Sequence, residues 1–212
     1  MKKNNLILTI VLLTVTLFST SGYTQTVIIG TQVWTSKNLN VDTYRNGDEI
    51  PQVQDEKAWA NLTTGAWCYY DNDASNGTKY GKLYNWYAVH DPRGLAPKGY
   101  HIPTDEEWLT LEIILGDDAG IKMKSASGWT NNGSGLQKYG TNSSGFSGLP
   151  GGYRFNDGTF NNIGYYGYWW SSTGNQYSPG NAWYRYLYSD YGDVNMNSYY
   201  KENGSSVRCL RD

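Results

Sequence analysis

This chain has to build its core from rings, because 9 Trp and 20 Tyr stand within a hydrophobic content of only 39%. Aromatic side chains bury large areas, but those of Trp and Tyr carry an N–H or O–H that needs a partner. With 25 Gly and only 17% charged residues, the composition describes a loop-rich, aromatic-packed fold. Half of the tyrosines crowd into the last quarter, at Tyr165, Tyr166, Tyr168, Tyr177, Tyr184, Tyr186, Tyr188, Tyr191, Tyr199 and Tyr200. A core has no use for so many phenol hydroxyls.

Local patterns divide the chain. The alternation in "TVIIGTQVWTSKNLNV" predicts a short hairpin broken at Gly30. In "DEKAWANLTTG" a short helix is expected to stop before Gly65, with Trp59 and Leu62 on one face. "HIPTDEEWLTLEIILGDD" encodes a stronger one. Thr104 stands three residues before Glu107, the reciprocal arrangement that satisfies free backbone donors at a helix start. Trp108, Leu111 and Leu115 then repeat at helical spacing between Asp105 and Leu115, and Gly116 ends the helix. From Gly128 onward Gly, Asn and Ser interrupt every run, which predicts short strands joined by long loops.

The opening segment, "MKKNNLILTIVLLTVTLFSTSGYTQ", places Lys2 and Lys3 before an apolar run from Leu6 to Phe18, the pattern of a secretory signal peptide. The run falls short of the about 20 residues of a membrane span, and no second one follows. We therefore expect a signal peptide over residues 1–22 and one domain over 23–212, secreted or held at the bacterial cell surface, with no integral span after signal removal. Losing Lys2 and Lys3 leaves 15 basic residues against 19 acidic, a net charge near −4. With no basic cluster in the sequence, that balance argues against nucleic acid as a partner. Oligomeric state is not legible.

Cys68 and Cys209 are the two cysteines, and in an exported chain such a pair is expected to form a structural disulfide, worth up to about 5 kcal/mol for so long a loop. A reactive thiol is the competing reading; no His or Lys adjoins either Cys in sequence. Asp71, Asp73 and Ser75 begin "DNDASNG" as a calcium loop begins, but Asn76 replaces the required Gly and Lys82 the bidentate Glu, so a polar turn is expected and no metal. His90 and His101 lack metal-ligand spacing, and His101 is read as a packing residue at the helix start. "SSGFSGLPGG" misses the final Gly of a nucleophile elbow, and Glu106 and Glu107 are explained by capping. We expect no catalytic residue and no cofactor. Glycan-acceptor patterns at Asn61, Asn132 and Asn203 carry little weight in so Asn-rich a chain.

The tyrosine band has a pattern of its own. In "AWYRYLYSDYGDVNMNSYY", Trp183, Arg185 and Leu187 alternate with Tyr184, Tyr186 and Tyr188, so one face packs while the other presents Tyr. Tyr offers contact area at little entropic cost, and Ser, Gly and Asn add adaptable hydrogen bonds, the mix that makes antibody-type surfaces work. A ladder of rings stacked along an exposed sheet is the purely structural alternative.

Several stretches in order, "IGTQVWTSKNLNV", "CYYDNDASNGTKYGKLYNWYAV", "LAPKGYHIPTDEEWLTLE", "GLPGGYRFNDGTF", "YWWSST" and "SVRCLRD", resemble the Fibrobacter succinogenes major paralogous (FISUMP) domain, a family of exported bacterial proteins. That family in turn is similar to the formylglycine-generating enzyme group: "IPTDEEW" resembles its helix-opening pattern and "SVRC" its terminal strand. The resemblance implies an α+β, C-type lectin-like fold, with two helices around a small twisted antiparallel sheet and long loops. It also places Cys209 at the family's terminal structural Cys, which favours pairing with Cys68. The oxidase chemistry of the enzyme group needs a close pair of cysteines before the terminal strand, and none lies between Cys68 and Cys209. Ser205 and Ser206 stand where relatives place Gly-Phe-Ser, so a buried ring is missing there.

The resemblance brings in one more implication, because lectin-fold domains of this kind can carry the variable segment of diversity-generating retroelements. An Asn codon rewritten at its adenines yields Tyr, Asp, Ser or Gly without a stop. Tyr184, Tyr186, Tyr188, Ser189, Asp190, Tyr191, Asp193, Asn195, Asn197, Ser198, Tyr199 and Tyr200 are all neighbours of that kind, interrupted by Trp183, Leu187 and Val194. These twelve residues are the expected binding surface for a protein or glycan ligand. An oxidase relative and an envelope component without a discrete ligand are the alternatives.

Overall fold

The computed structural model describes residues 25–130 and 139–212. The expected signal segment and Asn132 lie outside the described residues. The elements run β1 (Thr26–Ile29), β2 (Gln32–Thr35), α1 (Glu56–Ala60), β3 (Trp67–Cys68), α2 (Ala74–Tyr80), β4 (Leu83–Tyr84), α3 (Trp86–Val89), β5 (Tyr100–His101), α4 (Asp105–Leu115), α5 (Ala119–Met123), β6 (Gly151–Arg154), β7 (Phe160–Ile163), β8 (Tyr166–Gly174), β9 (Asn181–Tyr188), β10 (Asn195–Tyr200) and β11 (Leu210–Arg211). The fold is α+β.

β1 and β2 form the expected hairpin, paired from Thr26↔Thr35 to Ile29↔Gln32. Its turn needs glycine: Gly30 has φ +60°, and a Cβ there would lie 2.7 Å from Ile114 Cδ1. The terminal strand β11 slots between β2 and β5, giving a four-stranded sheet in the order β1-β2-β11-β5. A second sheet runs β10-β9-β8-β6-β7, antiparallel except where β6 meets β8 at Gly152↔Gly167. β3 and β4 pair alone.

α4 starts and stops where the sequence predicts. The Thr104 hydroxyl accepts from Glu107 N at 3.3 Å and Glu107 Oε2 accepts from Thr104 N at 2.8 Å, closing the capping box. Trp108 and Leu111 are buried, while Leu115 is half-buried. The helix is fixed to both sheets, since Gln32 Nε2 donates to Glu107 O at 2.9 Å and Asp105 N donates to Thr173 Oγ1 at 3.0 Å. Among the described residues the two expected helices, α1 and α4, are joined by three short ones, α2, α3 and α5. α2 follows a polar turn in which Asp73 accepts from Ser75 N at 2.8 Å, and α3 is capped by Asn85, whose Oδ1 accepts from Ala88 N at 3.1 Å. Helices this short show too few periodic positions to be read from sequence.

The core is aromatic, as the composition requires. One cluster gathers Tyr44, Trp67, Tyr84, Trp86, Trp170 and Val207; a second gathers Trp34, Trp108, Leu111, Phe146, Trp169 and Leu187; a third gathers Trp59, Tyr70 and Leu83. Most indole N–H groups find acceptors: Trp170 Nε1 donates to Tyr84 O at 2.8 Å, Trp86 Nε1 to Ser171 O at 2.9 Å, and Trp67 Nε1 to Ile50 O at 2.8 Å. Those of Trp59 and Trp108 are buried without one.

Buried cations join the layers. Arg208 lies at 0% exposure, donating to Asn38 Oδ1, Thr35 O, Phe146 O and Ser147 O at 2.7–3.0 Å, and so ties the terminal segment to β2 and to the loop before β6. Arg185 on β9 pairs with Asp105 and, at 2.6 Å, with Glu112, fastening α4 to the second sheet. Arg154 donates to Gly158 O, Val53 O and Gln54 O and sits over the Trp59 ring at 4.5 Å.

His101 corrects the sequence reading. Rather than packing, its ring spans Glu107 Oε1 at 2.9 Å and Asp212 Oδ1 at 2.8 Å. Partial burial disfavours its charged form, but the hydrogen bonds to Asp212 and Glu107 outweigh that and raise its pKa above 6.5. A group raised on folding stabilises fully below its unfolded pKa and loses that contribution as pH climbs through the folded one. The melting temperature should therefore be higher at pH 6 than at pH 8 by an increment that His101→Gln removes. Equal pH dependence in the two proteins would show that this bridge contributes nothing.

Candidate ligand-binding surface

β8 and β9 put their tyrosines on one side of the second sheet. Tyr166 faces Tyr188, Tyr168 faces Tyr186, and Trp170 faces Tyr184 directly across the pair. The rings form a continuous array: Tyr166 stacks on Tyr188 at 4.3 Å and 14°, and on Tyr168 at 5.6 Å and 13°. Tyr168 meets Tyr186 at 5.9 Å, and Tyr186 meets Tyr184 at the same distance. Tyr153 of β6 extends the array, 4.9 Å from Tyr168. Each such cross-strand pair is worth roughly 0.2–1 kcal/mol. The five tyrosines of β8 and β9 are half-buried.

Register divides the twelve expected surface residues. Asn195 pairs with Tyr186, Asn197 with Tyr184 and Tyr199 with Ala182, so these three join Tyr184, Tyr186 and Tyr188 on the tyrosine face. Ser198 and Tyr200 fall on the other face, and the Ser198 hydroxyl accepts from Asn175 Nδ2 at 2.8 Å. A strand alternates, so an unbroken run of polar codons cannot all point one way. Tyr191 is exposed and meets Tyr188 edge-on at 5.0 Å; Asp193 is exposed in the same turn.

Ser189 and Asp190 are a correction. Both are buried, at 0% and 5% exposure, with the Ser189 hydroxyl donating to Asp190 Oδ1 at 2.9 Å. They belong to the inside of the β9–β10 turn, where Lys124 Nζ donates to the carbonyls of Tyr188, Ser189 and Tyr191 at 3.0–3.1 Å. Lys124 is itself at 0% exposure. A buried ammonium ion at the end of α5 thus sets where Tyr188 and Tyr191 stand. α5 can approach because it carries Gly120, at which a Cβ would come within 2.4 Å of Asp193 O.

At one end of the array lies a cavity of about 90 Å³, walled by Tyr153, Tyr168, Trp170, Tyr184 and Tyr199 and closed by Asn203 and Ser205. Asn203 is 3% exposed, and its Oδ1 is buried with no hydrogen-bond partner. That burial also removes Asn203 from consideration as a glycan acceptor. Ser205 occupies the place where the resemblance led us to expect a missing ring. Burial raises the phenols of Tyr168 and Tyr184 well above their usual value, with neighbouring tyrosines adding to the shift, so both stay protonated in any physiological medium. Tyr153 and Tyr166 shift the same way for the same leading reason.

Sequence reasoning missed Tyr153, Tyr166, Tyr168, Asn203 and Ser205 as parts of this surface. The alternation Tyr166, Tyr168, Trp170 was there to be read. The closeness of Asn203 to Tyr153 was not, because it depends on Arg154 N donating to Gly204 O at 2.9 Å.

The expected disulfide is not formed. Cys68 and Cys209 are free and buried, Cys68 among Trp59, Ala66, Tyr70 and Leu83, Cys209 among the residues of the first cluster. Each is held by the packing of its own cluster. Burial pushes both thiols up to about 12, against smaller downward pulls from Arg154 at Cys68 and from Arg208 at Cys209. Thiols of this kind are inert. Unfolding without reductant in the presence of iodoacetamide should add two carbamidomethyl groups by mass, while the native protein at pH 8 adds none; an unfolded chain that takes up neither would establish the bridge.

Over residues 27–211 the chain matches the family model described as the Fibrobacter succinogenes major domain (Fib_succ_major). No curated protein and no solved structure matches it. No helix of the described residues is long and apolar enough to cross a membrane.

Proposed function

The chain belongs to the Fibrobacter succinogenes major domain family, and for it we propose a non-catalytic ligand-binding role, as a secreted or surface-held protein of C-type lectin-like fold. The observation that carries this reading is the half-buried array of Tyr166, Tyr168, Tyr184, Tyr186 and Tyr188, left partly open on β8 and β9 while the opposite face of these two strands is buried toward α4 through Trp169, Arg185 and Leu187. Rings that served only the core would be covered. These offer aromatic area and neutral hydroxyls together, the chemistry of a recognition surface.

Retroelement diversification is the finer form of the proposal. Tyr184, Tyr186, Tyr188, Asn195, Asn197 and Tyr199 share the face, while the intervening Arg185 and Leu187 are buried framework. Change at the first set would alter the ligand and spare the fold. The oxidase reading is not favoured, since both thiols are buried and protonated.

Screening the exported chain on a glycan array and against a displayed peptide library tests the proposal. The combined variant Tyr186→Ala, Tyr188→Ala and Tyr191→Ala should lose at least tenfold in affinity for what the native chain captures while still unfolding cooperatively, its melting temperature lowered only by the ring pairs it loses. If the variant captures as well as the native chain, or nothing is captured by either, the stacked rings are structural and the envelope reading stands.

A further inference from the structure

We propose that the cavity at the end of the tyrosine array is a subsite for one hydroxyl-bearing residue of a neutral glycan. This rests on the ligand-binding reading of the same face and names the ligand class. The first argument is the orphaned Asn203 Oδ1. Buried acceptors in native proteins are almost always satisfied, and one left without a donor is a standing cost to the fold. The residue itself helps close a cavity lined by the tyrosines of the array, so its amide is the polar side-chain group at the cavity floor, beside the Ser205 hydroxyl, that a ligand there can meet.

The second argument is the lining. No side chain that walls the cavity is an acid or a base, and burial keeps the Tyr168 and Tyr184 phenols neutral. A charged ligand group would lose its water there without gaining a counter-charge. Five aromatic rings supply apolar faces against which the C–H side of a sugar ring can lie. Four of the five are tyrosines, whose O–H groups both donate and accept. A sugar carries several hydroxyls of the same double character on one ring, dense enough for more than one of these tyrosines to be met at once.

Size sets the reach. At about 90 Å³ the cavity is well below the roughly 300 Å³ of a pocket that encloses a whole ligand, so it takes one end of a sugar and not a disaccharide. The rest of a chain would run over Tyr184, Tyr186 and Tyr188.

Affinity electrophoresis of the exported chain in gels carrying a neutral glucan, mannan, galactan or xylan, with a polyuronate as the charged control, reads this directly. At least one neutral polysaccharide should retard the native protein while the polyuronate does not. Asn203→Leu, which removes the orphaned acceptor at similar size, should weaken retardation at least tenfold and melt no lower than the native protein. Ser205→Phe, which puts a ring into the cavity, should abolish retardation as well. Retardation by none of the neutral polymers, full retardation of Asn203→Leu, or a marked fall in its melting temperature would each overturn the subsite. A peptide ligand that depends on Tyr186, Tyr188 and Tyr191, with no polysaccharide retained, overturns the subsite and leaves the tyrosine surface standing. Retardation lost in Asn203→Leu but kept by the triple alanine variant supports the subsite and overturns the wider surface.

Discussion

Trp169 and Trp170 stand side by side on β8, and the alternation of a strand sends them into different cores. Trp169, at 1% exposure, lies edge-on to Phe146 at 5.7 Å in the cluster that also holds Trp108 of α4. Trp170, at 0%, packs with Tyr84, Trp86 and Val207 on the other side. β8 and β9 are therefore buried on one face, through Trp169, Arg185 and Leu187, and on the other at the Trp170 end. What remains is the half-exposed stretch of that second face, and the tyrosines are there.

So aromatic a core has to be held by polar groups as well as by area. Arg208, Arg185, Arg154 and Lys124 are all buried, and each spends its donors on backbone carbonyls, an Asn amide or carboxylates from other parts of the chain. Hydrogen bonds this directional, made in a low-dielectric interior, fix the relative placement of the layers in a way apolar packing alone does not. Lys124 matters most for the surface, because it holds the turn between β9 and β10 that carries Tyr191. Framework and surface are joined by an ammonium ion and three carbonyls.

The parts legible in sequence were those written in local chemistry. Thr104 with Glu107 located α4, Gly30 located the hairpin turn, and the alternation through Trp183–Tyr188 gave the strand and its two faces. What escaped depended on contacts distant in sequence. The burial of Ser189 and Asp190 follows from Lys124, 65 residues away from Ser189. The ion pairs of His101 require Asp212 to return on β11. Two cysteines in an exported-looking chain were reason to expect a disulfide, yet each thiol has its own apolar nest. The cavity likewise needs β6, β8, β9 and β10 together with the loop at Asn203.

The measurement that bears most directly on the tyrosine face is NMR of the protein with ring-labelled tyrosine, titrated with the strongest ligand from the array screen. Ring signals of Tyr168, Tyr184, Tyr186, Tyr188 and Tyr199 should shift on binding, while those of Tyr80 and Tyr100, outside the array, and of Tyr200, on the opposite face of the sheet, should not. Shifts confined to Tyr200 or to tyrosines outside the second sheet would mean that the ligand is held elsewhere and that the array serves the fold alone.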